Sequence, residues 1–453
     1  MKKILIANRG EIACRIIRAA KALRLETVAV YSDADEHARH VSLADTAIRV
    51  GPSKASESYL VIETIVAAAI ASGADAVHPG YGFLAENPDF ARRVADAGLI
   101  FIGPTPAQIE AMGDKERARR LASAVGLTVV PGSARFAAGE LNGLSTAASD
   151  IGYPLLVKAS AGGGGIGMRL VDDPTQLLKV AEATQTMAAR SFGDGTIFLE
   201  RFVPKARHVE IQIFGFGDGR AVHFFERDCS VQRRFQKVIE ESPAPGLPAT
   251  VRARMAAVAV ALARSQQYRG AGTVEFIVDA ASFEFFFLEM NTRIQVEHPI
   301  TEMVTGHDLV VLQLRLAGGD SLADLTQDVL AARGHAIECR IYAENPAKTF
   351  LPSPGKLNTF VMPPPSAHVR IDTGVREGDT ITAYYDPMIS KLICWGETRG
   401  AALETLDTAL AATRIEGISN NVEFLRRVVT HPAFVAGDVF TGFIEAHKQA
   451  LIG

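Results

Sequence analysis

The chain has 453 residues, too many for one compact hydrophobic core, and this length predicts two or three domains. Its net charge of −4 provides no basic field that would hold nucleic acid or an anionic membrane, so we expect neither as a partner. The four cysteines are far apart and form no CxxC pair, which argues against a zinc site or a disulfide framework and is typical of the reducing cytoplasm.

The first hundred residues alternate between strand and helix patterns. Residues 3–7 form a short apolar run, which predicts a strand rather than a signal peptide, and apolar residues then recur at helical spacing from Ile12 to Leu23. Further strands are predicted over residues 27–31, 74–78 and 99–102. The pattern indicates an open parallel sheet covered by helices. The GxGxxG dinucleotide fingerprint does not follow the first strand, and no apolar stretch is long enough to span a bilayer.

The loop at residues 78–87 has the sequence HPGYGFLAEN, which combines turn-forming residues with two aromatic side chains. It is either a plain connection between a strand and a helix or the lining of a cleft at the strand ends, where ligands bind in open α/β sheets. Its spacing alone does not decide between the two.

A glycine-rich segment follows a second predicted strand, residues 155–159. It contains Gly162, Gly163, Gly164, Gly165 and Gly167, and residues 168–171 are again β-favouring, so the segment joins strand to strand. A Walker loop would instead lead into a helix and carry GK[ST]. A glycine-rich hairpin predicts a mobile lid, because its backbone N–H groups can approach phosphates without interference from side chains. The alternative is a flexible surface hairpin. Asp173 and Pro174 then begin a predicted helix that runs to about Arg190.

Two polar segments come next in the chain. Residues 208–212 (HVEIQ) alternate between polar and apolar side chains, and residues 226–237 carry both charge signs with few apolar anchors. The second segment is either a solvated loop or, because it is interleaved between strands, one wall of a site.

The segments 273–278 and 283–290 predict a β-hairpin. A turn centred near Ser282 places Glu275 opposite Glu289. Two carboxylates facing each other across a ladder repel unless a cation lies between them. The alternatives are therefore a metal site or one carboxylate that points outward. The turn lacks the glycine or Asn-Gly pair that usually closes a tight hairpin.

A row of polar side chains begins on the second strand of this hairpin. Spacing of two residues would place them on one face if the strand stays extended. They are an acid, an amide, a cation, an amide and an acid: Glu289, Asn291, Arg293, Gln295 and Glu297. Such a row is costly to bury without a ligand. Hard oxygen ligands suit Mg²⁺, which usually accompanies a nucleotide phosphate.

The last third of the chain, from about Gly334, predicts a separate α/β or β-rich lobe with a helix at residues 401–412. The sequence contains no internal repeats and no low-complexity segment.

Together these segments resemble the biotin carboxylase family of ATP-grasp enzymes over nearly the whole chain. The specificity lies in the number and order of the motifs, which are IANRGEIACRI, HPGYGFLAEN, MGDK, KASAGGGGIGM, RHVEIQ, ERDCSVQRR, QKVIEESPAP, RGAGTVEF, FLEMNTRIQVEHPITE and YYDPMISKLI. The resemblance implies an α/β fold in three parts. These are an N-terminal open parallel-sheet domain over 1–112, an ATP-grasp domain over 113–330 with a lid subdomain at about 131–203, and a C-terminal mixed α/β lobe over 331–446.

The resemblance also implies a role for individual residues. Nucleotide binding is implied for Lys115, Lys158, the five glycines of the lid, Glu200, Arg201, Val203, His208 and Gln232. Mg²⁺ (or Mn²⁺) binding is implied for Glu275, Glu289 and Asn291. The residues implied to surround bicarbonate are Lys237, Arg293, Gln295 and Val296. Glu297 is implied to be the base that takes the bicarbonate proton, and Arg340 is implied to stabilise the biotin enolate.

Two positions depart from the commoner family pattern. Phe235 stands where many relatives have His before Gln-Lys, and Ile166 stands in the lid where many carry Lys or Arg. They support the alternative of a nucleotide-binding regulatory subunit without turnover, against which the intact metal and base residues argue. The other alternative is an ATP-grasp ligase that joins a carboxylate to an amine. Residues 293–297 together with Arg340 favour the bicarbonate and biotin reaction over it.

The sequence contains no Ala-Met-Lys-Met biotin-attachment motif. We therefore expect biotin to arrive on a carrier protein, and a carboxyltransferase to act after it, on separate chains or on segments outside this sequence. The family resemblance implies a homodimer. Similarity to urea-carboxylase-type members and to acyl-CoA carboxylase α subunits implies an acceptor other than acetyl-CoA.

Overall fold

The computed structural model describes residues 1–160, 167–233 and 236–452, with the backbone but not the side chain of Phe192. Six positions discussed above lie outside the described residues: Gly162, Gly163, Gly164, Gly165, Ile166 and Phe235. No helix in the described ranges combines the length and the apolar character that crossing a membrane requires.

The N-terminal region is the predicted open parallel sheet. Its strands are β1 (Lys3–Ile6), β2 (Glu26–Ser32), β3 (Thr46–Gly51), β4 (Ala76–His78) and β5 (Ile100–Phe101), in the order β3-β2-β1-β4-β5. Its helices are α1 (Gly10–Ala22), α2 (Arg39–Leu43), α3 (Ile62–Ala71), α4 (Pro88–Asp96) and α5 (Pro106–Gly113). Side chains of β1 are buried on both faces of the sheet, as expected for a parallel sheet between helices.

The predicted lid subdomain has a small core of its own. It contains α7 (Leu144–Ile151), β6 (Leu155–Ala159), β7 (Met168–Val171), α8 (Leu177–Phe192) and β8 (Ile197–Arg201), and α6 (Lys115–Ala124) precedes it. The three strands pair antiparallel in the order β7-β6-β8, with Lys158 opposite Met168. The prediction that the glycine-rich segment joins two strands is therefore confirmed. Leu155 and Val157 face a core that α7 and α8 close.

The central region contributes β9 (Ala206–Phe216), β10 (Ala221–Arg233), β11 (Gln236–Ser242), α9 (Ala249–Ser265), β12 (Arg269–Asp279), β13 (Phe285–Asn291), α10 (His298–Thr305) and α11 (Leu309–Ala317). The strands of the last third are β14 (His335–Tyr342), β15 (Glu344–Asn345), β16 (Leu351–Pro352), β17 (Gly355–Lys356), β18 (Thr359–Val361), β19 (Val369–Thr373), β20 (Thr380–Ile381), β21 (Met388–Gly396) and β22 (Arg414–Glu416). The helices of the last third are α12 (Arg399–Ala412), α13 (Val422–Val429), α14 (Pro432–Val435), α15 (Phe443–Ala446) and α16 (Lys448–Ile452).

One antiparallel sheet of eight strands runs through both of these regions, in the order β13-β12-β9-β10-β11-β14-β21-β19. The last third is therefore not separate from the central region, because β11 and β14 are hydrogen-bonded neighbours. The division of the chain at residues 112 and 330 stays a prediction. The sheet carries apolar side chains of Val209, Ile211 and Phe276 toward α9, and those of Ile337 and Leu392 toward α12 and α13.

The predicted hairpin of β12 and β13 is confirmed, with Glu275 opposite Glu289. The turn needs no glycine, because the Asp279 side chain closes it. Its Oδ1 accepts hydrogen bonds from the backbone N–H groups of Ala281 (3.0 Å) and Ser282 (2.7 Å). Phe283 supplies the left-handed conformation, with φ of 57°.

We expect Asp279→Ala to lower the free energy of unfolding by about 1 kcal/mol, since the turn loses its side-chain acceptor. Asp279→Asn, which keeps an oxygen at the same place, is the matched control. Urea unfolding followed by circular dichroism measures both variants. Equal stability of the Ala and Asn variants would show that the side chain does not hold the turn.

Candidate active site

The candidate active site lies on one face of the large sheet. Alternation along β9 turns His208, Glu210 and Gln212 toward this face, while the apolar residues between them pack on α9. Glu275 of β12 and Arg227 of β10 are both opposite Glu210 in the strand register. All five side chains are buried, so three neighbouring strands place acids, an amide and cations in one interior layer.

Lys237 of β11 connects three carboxylates in this layer. Its Nζ lies 2.7 Å from Glu210 Oε2, 2.9 Å from Glu275 Oε1 and 2.7 Å from Glu297 Oε1. Burial alone lowers the pKa of Lys237, but the three negative charges outweigh it and hold the pKa well above its ordinary value. The ammonium group is therefore charged and ties residues of three segments together.

Arg227 lies fully buried under the same cluster. Its Nε donates to Glu210 Oε1 at 2.5 Å and its Nη2 donates to Gln295 Oε1 at 2.5 Å. Its other hydrogen bonds go to Gln212, Thr273 and Thr301. A planar guanidinium that donates in five directions fixes Glu210 and orients the Gln295 amide.

Glu297, at the start of α10, is held between two cations. Its Oε1 contacts Lys237 and its Oε2 accepts from Arg340 Nη2 at 3.1 Å. Burial raises the pKa of Glu297, but Lys237, Arg340 and Arg227 outweigh it, so the pKa lies well below its usual range. Arg340 also donates through Nε to Glu240 Oε1 at 2.6 Å. In this arrangement Glu297 is ionised and weakly basic.

Arg340 faces a cavity of about 560 Å³ between the N-terminal region and the large sheet. Its lining includes Arg9, Tyr81, Arg293, Val296 and Tyr385. The cavity has aromatic walls, and three arginines reach it, a combination that suits a small molecule with an apolar body and a polar carbonyl end. The 78–87 loop provides part of this lining, which decides between its two interpretations in favour of a cleft.

The three predicted metal ligands lie together at the end of the hairpin. Glu275 Oε1 accepts hydrogen bonds from Asn291 Nδ2 (2.8 Å) and Gln295 Nε2 (2.7 Å), and its Oε2 lies 2.9 Å from His208 Nε2. Burial lowers the pKa of His208, but Glu275 outweighs it, so the pKa is raised. Burial and the charge of Glu275 both raise the pKa of Glu289.

This donor set fits a hard divalent cation, because Glu275, Glu289 and Asn291 all offer oxygen atoms. A cation between the two carboxylates offsets the two effects that raise the pKa of Glu289. Asn291 Oδ1 accepts from Arg293 Nη2 at 3.0 Å, so Asn291 binds a cation through oxygen only after its amide rotates. Ligand atoms of His208, Glu210 and Glu275 also lie within 4.8 Å of one another.

A cleft of about 970 Å³ adjoins this site, between the lid subdomain and α6. Lys115, Lys158, Glu200 and Glu289 line it. Lys158 Nζ donates to Glu200 Oε1 at 2.6 Å and lies 5.6 Å from the ring centre of Phe198. The cleft thus has cationic groups beside the carboxylates of the hairpin, the arrangement that a nucleotide with its metal needs.

The other described residues predicted to bind nucleotide are not among those that line this cleft. Gln232 Nε2 donates to His208 Nδ1 at 2.8 Å, so these two lie side by side next to Glu275. Val203 packs in an apolar cluster, and Arg201 Nη1 lies 3.7 Å from Glu284 at the hairpin turn. The carbonyl of Gly167 accepts from the Ala159 N–H at 2.8 Å.

The predicted row from Glu289 to Glu297 does not stay on an extended strand. β13 ends at Asn291, and residues 292–297 form a loop before α10. Glu86 of the N-terminal region turns the chain here. Its Oε1 accepts from the Thr292 N–H at 3.2 Å, and its Oε2 accepts from Arg293 Nε at 2.8 Å. Gln295 and Glu297 still reach the cluster, because the loop folds back onto Arg227 and Lys237, whereas Arg293 pairs with Glu86.

Sequence reasoning missed two residues of the cluster, Glu210 and Arg227. The signal for Glu210 was the alternation of residues 208–212, which places it between His208 and Gln212 on one face. The signal for Arg227 was its place in a charged segment between strands. The fully buried Arg227 rules out the interpretation of this segment as a solvated loop, at least over the described residues 226–233.

Three family models match the chain. They are "Biotin carboxylase, N-terminal domain" over residues 1–109, "Carbamoyl-phosphate synthase L chain, ATP binding domain" over 114–325, and "Biotin carboxylase C-terminal domain" over 338–446. Similar relatives include the mitochondrial methylcrotonoyl-CoA carboxylase subunit alpha of Glycine max, 51% identical over 100% of this chain and 61% of that protein. The biotin carboxylase of a Nostoc species is 48% identical over 98% of each chain.

The solved structures that resemble the fold include the biotin carboxylase domain dimer of Hydrogenobacter thermophilus 2-oxoglutarate carboxylase, in complex with MgADP, ADP and bicarbonate. The TM-score is 0.91 at 41% identity, over 99% of this chain and 98% of that one. The chain spans about 61% of the length of the methylcrotonoyl-CoA carboxylase subunit of Glycine max.

Glu240 generates a prediction about pH. Burial raises its pKa to about 7, against the opposing charge of Arg340, whereas an unfolded glutamate has a pKa of about 4.3. The folded chain therefore holds this proton more tightly, and its stabilising effect is present at low pH and is lost as pH rises through 7. We expect the free energy of unfolding of the wild type, relative to that of Glu240→Gln, to fall by up to about 3 kcal/mol between pH 5 and 8. Urea unfolding of both proteins across this pH range measures the difference.

Glu241→Gln is the matched control for this experiment. The pKa of Glu241 is lowered, because His335 and Arg399 outweigh its burial, so its contribution is lost only in acid. The difference in free energy of unfolding between the wild type and Glu241→Gln should therefore stay constant between pH 5 and 8. A stability difference between wild type and Glu240→Gln that does not change with pH would contradict the assignment.

Proposed function

The chain belongs to the biotin carboxylase family, and we propose that it carboxylates biotin with bicarbonate at the expense of MgATP, giving carboxybiotin, ADP and phosphate. The single observation that carries this proposal is the position of Glu297. Its carboxylate contacts Lys237, which also contacts the predicted metal ligand Glu275, and it contacts Arg340, which lines the cavity of about 560 Å³. One acid is thus paired with a cation of the proposed metal site and with a cation of the proposed acceptor cavity.

We propose that bicarbonate binds next to Arg293, Gln295 and the backbone of Val296, where Glu297 removes its proton. A carboxylate held by two cations is a poor base, so bicarbonate must take over part of that positive charge. Lys237 is placed to do this, because its ammonium already contacts Glu297 and can turn toward a bound anion. The basicity of Glu297 then rises when the substrate is present.

Deprotonated bicarbonate attacks the γ-phosphorus of ATP, the bond to the β–γ bridging oxygen breaks, and carboxyphosphate and ADP are formed. A bound Mg²⁺ supplies charge neutralisation at the transferring phosphoryl group. Glu275, Glu289 and Asn291 would hold it, and Lys115 and Lys158 are placed to bind phosphate oxygens. Closure of the lid would exclude water, which otherwise hydrolyses the intermediate.

Carboxyphosphate then releases CO₂ and phosphate beside the biotin ring. The released phosphate takes the proton of the ring nitrogen, and this nitrogen then bonds to the carbon of CO₂ to give carboxybiotin. Arg340 lines the cavity and would point its guanidinium at the ureido oxygen, where negative charge develops as the proton leaves. To do so it must loosen its contacts with Glu240 and Glu297.

We propose that biotin is carried by a carrier protein and that a carboxyltransferase completes the reaction, on separate chains or on segments outside this sequence. The chain matches only 61% of the length of the methylcrotonoyl-CoA carboxylase subunit, which supports the presence of these functions elsewhere. The name of that relative favours an acyl-CoA thioester as the final acceptor. The dimer formed by the biotin carboxylase domain of the Hydrogenobacter thermophilus 2-oxoglutarate carboxylase supports a homodimer. The four cysteines are buried and free, which supports a reducing compartment, the cytoplasm.

The purified chain should hydrolyse ATP only when bicarbonate is present, and faster with free biotin. Glu289→Gln should reduce this rate by roughly 10²-fold or more, the scale of one lost electrostatic stabiliser. Glu284→Gln, an exposed acid on the same hairpin, is the matched control and should keep the wild-type rate. Hydrolysis that is equal without bicarbonate would favour a carboxylate–amine ligase, and no turnover at all would favour a regulatory subunit.

Arg340→Ala should retain MgADP binding, measured by calorimetry, and lose carboxylation of free biotin, measured with labelled bicarbonate. The variant leaves Glu240 without its cation, whereas Lys237 still contacts Glu297, so the double variant Arg340→Ala/Glu240→Gln avoids an unpaired buried carboxylate and protects the fold. Carboxylation by either variant at the wild-type rate would contradict the role of Arg340.

A further inference from the structure

Three sequence motifs meet at one point of the structure that the reaction above does not use. Glu11 belongs to IANRGEIACRI, Tyr81 to HPGYGFLAEN and Lys391 to YYDPMISKLI. They come from α1, the loop after β4, and β21. Positions separated by about 380 residues in the sequence thus converge directly under the loop that ends at Glu297.

Lys391 lies at the centre of these contacts. Its Nζ donates to the backbone oxygen of Val296 at 2.8 Å and lies 3.1 Å from Glu11 Oε1. The Tyr81 hydroxyl donates to the same Glu11 oxygen. A chain of hydrogen bonds therefore runs from the wall of the 560 Å³ cavity, where Tyr81 lies, to the peptide bond before Glu297.

The burial of this group shows that it is not a surface ion pair. The side chain of Lys391 is 0% exposed and that of Glu11 is 4% exposed. A lysine at such a place is costly unless paired, and an apolar side chain would fill the same volume without that cost. The ammonium group donates one hydrogen bond to the Val296 carbonyl in the loop before α10, which an apolar side chain cannot do.

The strand register places Lys391 beside a second residue that contacts Glu297 or its backbone. Lys391 of β21 is directly opposite Arg340 of β14, so both point to the same face. Arg340 holds the Glu297 carboxylate, while Lys391 holds the carbonyl of the residue before it. Neighbouring strands thus fix the side chain of the base and the backbone from which it projects.

We infer that Lys391 is a positioning residue that orients the Val296–Glu297 peptide and, with Glu11 and Tyr81, keeps the bicarbonate-binding loop in its working shape. The inference rests on the proposed function. Because a peptide unit is planar, holding the Val296 oxygen toward Lys391 also fixes the direction of the Glu297 N–H and Cα. Loss of this contact frees the peptide to rotate, which moves Glu297 and the neighbouring Val296 backbone together.

Lys391→Met tests the inference, since it keeps the length and volume of the side chain and removes the donor. We expect the KM for bicarbonate in ATP hydrolysis to rise roughly tenfold or more, the range seen when a residue that orients a ligand-binding group is removed. The KM for ATP and the affinity for MgADP should change less than about twofold, because the nucleotide cleft lies on other elements.

Arg399→Met is the matched control, because it removes the cation of another buried carboxylate of the same sheet, Glu241, away from the site loop. It should lower stability and leave the KM for bicarbonate unchanged. An unchanged KM for bicarbonate in Lys391→Met would overturn the inference. If the KM for bicarbonate and the KM for ATP rose equally in the Lys391 and Arg399 variants, the effect would be purely structural. That result would also overturn the inference.

Glu11→Gln keeps the test decisive if Lys391→Met does not fold. The amide oxygen still accepts hydrogen bonds, but Lys391 loses the charge that holds it, so the KM for bicarbonate should rise several-fold. An unchanged value would contradict the inference. A wild-type chain without any bicarbonate-dependent turnover would instead contradict the proposed function, so the two failures are distinguishable.

Discussion

The ammonium group of Lys237, shared by Glu210, Glu275 and Glu297, is the contact on which the rest of the site depends. It brings together β9, the hairpin of β12 and β13, and the loop before α10. Three carboxylates this close repel strongly in a buried layer unless a cation lies among them. Lys237 therefore permits an acidic pocket inside the protein, and Arg227 completes it by satisfying Glu210 and Gln295 from below.

The large sheet distributes roles between its two faces. One face is apolar and packs against α9, α12 and α13. The other face carries nearly all the ionisable groups of the site on adjacent strands, so small differences in register decide which charges meet. A register shift in β11 puts Lys237 and Glu240 on the same face although they are three residues apart. At this shift β11 has one residue more than β10. Without the extra residue, either Lys237 or Glu240 would point into the apolar layer.

The buried acids differ in protonation because their neighbours differ. Glu297 is surrounded by cations and its pKa is lowered, whereas burial raises the pKa values of Glu240, Glu289 and Glu338. Glu338 lies across from Glu240 in the register, and neither of its oxygens has a hydrogen-bond partner among the described residues. The site therefore combines an acid whose pKa is lowered with acids whose pKa values are raised, and movement of Arg340 or Lys237 shifts this balance.

The sequence by itself determined the fold class, the parallel N-terminal sheet, the strand-to-strand glycine segment and the facing of Glu275 and Glu289, because local periodicity specifies strands, helices and hairpin register. Resemblance to a family named the charged residues Lys115, Lys158, Glu200 and Glu289 of the cleft, and Arg293 and Arg340 of the cavity. Only the tertiary structure decided that β13 ends at Asn291, that the last third continues the central sheet, and that Glu210 and Arg227 belong to the site. Only it brought Glu11, Tyr81 and Lys391 to one carbonyl. These outcomes depend on burial of charges from distant segments against one another, and no local pattern encodes which partner neutralises which charge.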